Sequence, residues 1–163
     1  MKNIYKILTI IRRDYNMKIV IGSDHGGYIL KEHIKKYLED NNYNVEDFGT
    51  HSMESVDYPE FGQKVAEAVA QGKFDKGILI CGTGLGISIA ANKVKGIRAA
   101  VVSESFSAKM SRLHNNANIL ALGGRVVGPD LAVEIVDVWL NTPFEGGRHQ
   151  NRLDKITEIE NKY

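Results

Sequence analysis

From residue 18 onward the chain alternates short runs of Ile, Val and Leu with longer stretches of helical periodicity, and this alternation constrains the fold more than any other feature. Runs at 18–22, 77–81, 97–102 and 119–122 read as strands, with a weaker one at 44–47. Continuous apolar β-branched runs are what strands buried on both faces look like. Between them, Leu30, Ile34, Tyr37 and Leu38 recur at helical spacing, as do Phe61, Val65, Ala68 and Val69. The second of these helices opens near Asp57 and Pro59 and closes at Gly72. Further helices are expected at 87–93, 105–114 and 129–140, the last with proline in its first turn. Leu153, Ile156 and Ile159 mark a final one. Strands joined by helices of these lengths build βαβ units, hence an α/β fold with a five-stranded parallel sheet and helices on both faces.

The remaining sequence fits one domain over 17–163, preceded by an extension at 1–16. That extension holds an apolar run, Ile7–Ile11, too short for a secretion signal or a bilayer span. It is expected to be a frayed tail or an over-extended start, since Met17 stands directly before the first strand. The absence of a secretion signal favours the cytoplasm. With 21 Lys and Arg against 20 Asp and Glu, the net charge is +1, which offers no basic field for nucleic acid or a membrane surface. A single cysteine, Cys81, excludes an internal disulfide and a thiolate zinc site.

In open parallel sheets, ligands bind beyond the carboxyl ends of the strands. The loops expected there are Ser23-Asp-His-Gly26, Phe48-Gly-Thr50, Cys81-Gly-Thr-Gly-Leu-Gly86, Ser103-Glu104 and Gly123-Gly-Arg125. The cysteine loop leaves a strand and enters a helix. Its glycines let a ligand approach the backbone, and amide groups at a helix start favour an anion or a developing oxyanion. It lacks the Gly-Lys-Ser/Thr ending of a P-loop, and Ile87 stands where a cysteine phosphatase loop carries arginine. Gly82, Gly84 and Gly86 give GxGxG rather than GxGxxG, and Glu104 lies near the acidic position of a dinucleotide site, so a nucleotide-binding module is a rival reading. Cys81 fits either a small buried hydrophobe or a reactive thiolate. Asp24 and His25 can orient a substrate hydroxyl or phosphate, or simply make a turn. His114-Asn115 ends a helix, where a histidine can also cap carbonyls. His33 and His51 read as solvated. Arg125, Arg148 and Arg152 suit phosphate if they converge, and Arg148 and Arg152 share a helical face if the last helix begins early.

Together these residues resemble a known family. Gly22-Ser-Asp-His-Gly26, Asp57-Tyr-Pro59, the stretch from Gly77 through Cys81-Gly-Thr-Gly-Leu-Gly-Ile-Ser to Lys93, Gly96-Ile-Arg-Ala-Ala100, Ser111-Arg-Leu-His-Asn115 and Glu145-Gly-Gly-Arg-His149 are similar to the ribose-5-phosphate isomerase B family. That family also holds allose-6-phosphate and galactose-6-phosphate isomerases. The match runs from Met17 to about Ile159. The resemblance implies a Rossmann-like αβα sandwich and an aldose–ketose isomerase that interconverts ribose 5-phosphate and ribulose 5-phosphate, or a six-carbon sugar phosphate, without metal or other cofactor. It implies a homodimer or a dimer of dimers. By position it makes Cys81 the base that moves a proton between C2 and C1, assisted by Thr83, and His114 the residue that opens the furanose ring. It makes Gly82, Thr83, Gly84, Leu85 and Gly86 the enediolate cradle. Asp24, His25 and Asn115 become substrate contacts, and Arg125, Arg148 and Arg152 the phosphate residues. Some branches carry glutamate as the base; this chain has Cys81. The chemistry agrees: one base must reach two adjacent carbons, the enediolate needs amide donors, and a phosphate supplies binding energy away from the reacting atoms.

Overall fold

The computed structural model describes residues 16–163; residues 1–15, nearly all of the expected extension, lie outside the described residues. Five strands form one all-parallel sheet: β1 (Lys18–Ser23), β2 (Asn44–Asp47), β3 (Lys76–Cys81), β4 (Ala99–Val101) and β5 (Ile119–Gly123). Their order across the sheet is β2-β1-β3-β5-β4. Six helices accompany them: α1 (Tyr28–Asp40), α2 (Tyr58–Ala70), α3 (Leu85–Ala91), α4 (Ser105–Leu113), α5 (Pro129–Asn141) and α6 (Arg148–Glu160).

The central strands run apolar throughout because the sheet is covered twice, and successive side chains alternate between the covers. Ile19, Ile21, Ile78, Ile80, Leu120 and Leu122 pack under α1 and α5 with Leu30, Ile34, Ile135 and Trp139. Val20, Leu79, Cys81, Ile119 and Ala121 face the other way, against Val65, Val69 and Ile87 of α2 and α3. The expected αβα sandwich is therefore present, and Cys81 belongs to the α2/α3 side.

Both edge strands are shorter or less apolar than the central ones. β4 has three residues where six were expected. Ile97 and Arg98 are taken by other partners: Ile97 N–H donates to Val94 O, and Arg98 N–H to Asn118 Oδ1. Beyond the sheet, the Asn92 side chain bonds both Ala99 N–H (2.8 Å) and Ala99 O (2.9 Å), which satisfies the free edge. On the opposite edge, Lys31 is fully buried and its ammonium pairs with Asp47 (2.5 Å) and Glu32 (2.8 Å), tying α1 to β2. α3 starts two residues before the expected place, directly after Gly84.

Strand order fixes where a ligand can sit. From β1 the chain moves to β2 on one side, and from β3 it moves to β4 on the other. The carboxyl ends of β1 and β3, which are neighbours, therefore flank the crevice at the switch point.

Candidate active site

That crevice gathers one set of the candidate residues. Asp24 is buried and its Oδ1 accepts Gly27 N–H at 3.0 Å, shaping the turn into α1. Next to it, His25 is half-buried, and its Nδ1 accepts Val56 N–H at 3.2 Å. In the neutral imidazole this leaves the proton on Nε2, free to donate. The same bond ties the loop before α2 to the mouth of the crevice.

Across the crevice, Cys81 ends β3 with 5% of its surface exposed. Its Sγ accepts the backbone N–H of Gly84 at 3.1 Å. Gly84 is required on two grounds. Its φ is +80°, and a Cβ there would stand 2.9 Å from the Leu122 carbonyl carbon of β5. Thr83 is exposed and its Oγ1 accepts Leu85 N–H at 3.3 Å, so the hydroxyl hydrogen remains available. Gly82 and Gly86 keep the loop open to neighbours. A Cβ at Gly82 would lie 3.4 Å from Arg125 Nη1, and one at Gly86 would lie 2.7 Å from the Tyr58 ring.

The loop after β5 closes this group. Gly124 N–H donates to Cys81 O (2.8 Å) and Arg125 N–H to Gly82 O (3.0 Å), so Arg125 is fixed beside the cysteine loop with its side chain exposed. Adjoining the crevice is a cavity of about 340 Å³ between His25, Ile29, His33, Met53, Arg125 and Pro129, large enough for a small ligand.

A second set lies elsewhere. His114 caps the end of α4, and a helix that follows a parallel strand returns antiparallel to it. The loop after α4 leads to Asn118, whose carbonyl accepts Gly77 N–H at the start of β3. His114 therefore stands at the amino end of the sheet and Cys81 at the carboxyl end. From Gly77 to Cys81 alone is roughly 13 Å at about 3.3 Å per residue. Asn115, exposed, adjoins His114, and its carbonyl accepts Arg98 Nε. Arg148 and Arg152 open α6, which does begin early enough to put them on one face, and both are exposed.

Two residues given no role in the sequence reading join this second set. The rings of His114 and His149 are stacked, with centroids 4.2 Å apart and planes 11° apart. Glu145 Oε2 lies 3.4 Å from His149 Nε2 and 3.9 Å from His114 Nε2. The visible signal was the spacing of Glu145 and His149, four residues apart. Burial holds His149 below the usual histidine range, with His114, Arg148 and Arg152 adding to the effect against Glu145.

Among the described residues, His114, Glu145 and His149 bring three potential metal-ligand atoms within 4.8 Å of one another. Arg152 Nη1 lies 3.4 Å from His149 Nδ1, and a guanidinium only donates. That contact keeps the neutral His149 proton on Nε2, the atom a metal would need, and the flanking arginines oppose a cation. His33 and His51 are exposed, as expected. Among the described residues no helix is long and apolar enough to cross a membrane.

Known proteins resemble this chain over most of its length. Residues 19–156 match the model of a family described as Ribose/Galactose Isomerase. Over 145 residues the chain is 57% identical to ribose-5-phosphate isomerase B of Escherichia coli, covering 89% of this chain and 97% of that one. The structure of Clostridium thermocellum ribose-5-phosphate isomerase B is 68% identical, with a TM-score of 0.89 and coverage of 90% and 99%. That of the Thermotoga maritima ribose 5-phosphate isomerase is 54% identical, with a TM-score of 0.85 and coverage of 87% and 98%.

Proposed function

The chain belongs to the ribose/galactose isomerase family, and on that footing we propose that it interconverts D-ribose 5-phosphate and D-ribulose 5-phosphate in a site shared between two copies of itself. The observation that carries this reading is the Cys81 sulfur, held by Gly84 N–H at the switch-point crevice with His25 and Arg125 beside it.

In the opened aldose, the Cys81 thiolate takes the proton from C2. The C–H electron pair forms the C1–C2 double bond, and O1 takes the negative charge. The amides of the Gly82–Gly86 loop stabilise this enediolate. The same sulfur returns the proton to C1, the C2 oxygen becomes the carbonyl, and its hydroxyl proton passes to O1, with Thr83 as the nearest hydroxyl. Atoms and charge balance without an oxidant or cofactor. Asp24, His25 and Asn115 hold the sugar hydroxyls, and Arg125, Arg148 and Arg152 the phosphate.

His114 opens the furanose ring, but in its own chain it stands at the far end of the sheet from Cys81. A second copy supplies it, together with Asn115, Arg148 and Arg152. The surface beside the cysteine loop suits such a partner. Leu85 (57% exposed) and Ile89 (60%) lie one turn apart on α3, and α3 packs on β4, where Val101 is 38% exposed. Exposed apolar side chains grouped in this way favour protein association.

The test is a direct isomerase assay on ribose 5-phosphate, allose 6-phosphate and galactose 6-phosphate. Preference for the pentose phosphate supports the assignment. Turnover confined to either six-carbon substrate refutes the substrate, and no turnover of any refutes the isomerase reading.

A further inference from the structure

We propose that Glu145 and His149 are positioning residues for His114: His149 is the platform its ring lies on, and Glu145 the carboxylate that fixes the ring and balances the charge it takes up during ring opening. This rests on the ring-opening role given to His114 above, and it assigns the two residues that make that role possible.

The chain of contacts has a direction. Arg152 can only donate, so its approach to His149 Nδ1 makes that nitrogen the acceptor. The neutral His149 proton then sits on Nε2, facing Glu145 Oε2 at 3.4 Å. His149 Nε2 is buried and makes no hydrogen bond of its own, so this carboxylate is what it faces. Glu145 in turn lies 3.9 Å from His114 Nε2. Glu145 is itself anchored, because its backbone N–H donates to Leu113 O, one residue before His114.

The two stacked histidines differ in environment. His149 is 3% exposed in the first turn of α6, beside Arg148 and Arg152, where a second positive charge is unwelcome. His114 caps the carboxyl end of α4, and 39% of its side chain is exposed. One ring is thus enclosed and held still, and the other stands open to a substrate. A stack with planes 11° apart restricts rotation of His114 without taking either of its nitrogens, which a hydrogen-bonded orienting group could not do.

The test is a set of double-mutant cycles on ribose 5-phosphate turnover. His149→Ala should lower kcat by about 2- to 12-fold, the range an aromatic pair of this kind carries, with KM within about threefold. His149→Phe, which keeps a ring in place, should restore most of it. Glu145→Gln should also lower kcat more than it raises KM. In a His114→Ala background, neither His149→Ala nor Glu145→Gln should cause any further loss.

A further loss in that background, a change confined to KM, or failure of His149→Phe to rescue a His149→Ala variant that keeps its melting temperature would overturn the proposal. If His149→Ala does not fold, Glu145→Gln, whose side chain is 56% exposed, carries the cycle alone. Wild-type activity in the His114→Ala single variant would instead remove the underlying role of His114, and the two failures are separable.

Discussion

Activity regained by mixing two crippled variants is the sharpest consequence of this geometry. Cys81 and His114 lie at opposite ends of one sheet, with roughly 13 Å of β3 between their levels, whereas general acid–base groups act within about 3 Å of the proton they move. A single copy therefore cannot bring both to one sugar. In a two-fold dimer with shared sites, each site takes its cysteine from one copy and its histidine from the other. Cys81→Ala alone should be inactive, and His114→Ala alone should keep only the low residual turnover that spontaneous ring opening allows. Mixed in equal amounts with free exchange, about half of the dimers contain one of each. In each of these, one site has both residues intact and the other has neither. The mixture should regain about a quarter of wild-type turnover. Subunit exchange is followed by native mass spectrometry with a tag on one chain, and turnover by absorbance of the ketose product. Exchange to the expected mixture with no recovered turnover would refute the shared site and would require both residues to act within one copy.

Other outcomes follow from single positions. Cys81→Ala should keep its fold to within a few degrees of melting temperature and lose kcat by several orders of magnitude, since the group that makes the enediolate is gone; near-normal turnover would show the base to be elsewhere. Gly84→Ala forces a side chain to φ +80° against the Leu122 carbonyl, costing about 1–2 kcal/mol for the backbone alone, and calorimetry should show this beside a larger loss of activity as Gly84 N–H leaves the sulfur. Asp47 is held below the usual carboxylate range: burial alone would raise it, but hydrogen bonds from Lys31, Gly49 N–H and Lys35 outweigh that. A depressed folded value means stability that is present above the unfolded value near 4 and lost as pH falls through the folded one. Urea midpoints of the wild type should therefore drop more steeply between pH 4 and pH 2 than those of Asp47→Asn. A chain beginning at Met17 should match the full chain in melting temperature and turnover, because β1 pairs with β2 from Lys18 and with β3 from Ile19; a large loss would give residues 1–16 a structural role.

How much of this was legible depends on where each residue sits. The central strands were plain, because burial on both faces writes an unbroken apolar run, as in Ile78–Cys81 and Ile119–Leu122. β2 was faint and β4 was read too long for the opposite reason. They are edges, where β2 leaves Asn44 and Glu46 exposed, and where the Arg98 N–H before β4 goes to the Asn118 side chain. The insertion of β5 between β3 and β4 has no local signature at all. It places Gly123 and Arg125 beside Cys81, and it follows from which loops can reach, not from any motif. The His114–His149 stack was equally silent, since it is closed by one backbone bond from Glu145 to Leu113 across a long sequence gap.

The loops after strands were found because glycine and chemically capable residues crowd there, and a parallel sheet then brings them together at one end. The same sheet does the reverse for a residue that ends a helix. In any βαβ unit the strand rises and the helix descends, so a residue at a strand's carboxyl end and one at the following helix's carboxyl end are held a sheet's length apart. Cys81 is the first kind and His114 the second. A sequence that names both as parts of one reaction therefore poses a choice: one of the two is misassigned, or the reaction spans two copies. Leu85, Ile89 and Val101, apolar and exposed beside the cysteine loop, favour the second, because an isolated copy would leave them in water. Arg148 and Arg152 support the same choice. They lie with His114 rather than with Arg125, so three arginines can meet one phosphate only if the amino end of one sheet meets the carboxyl end of another.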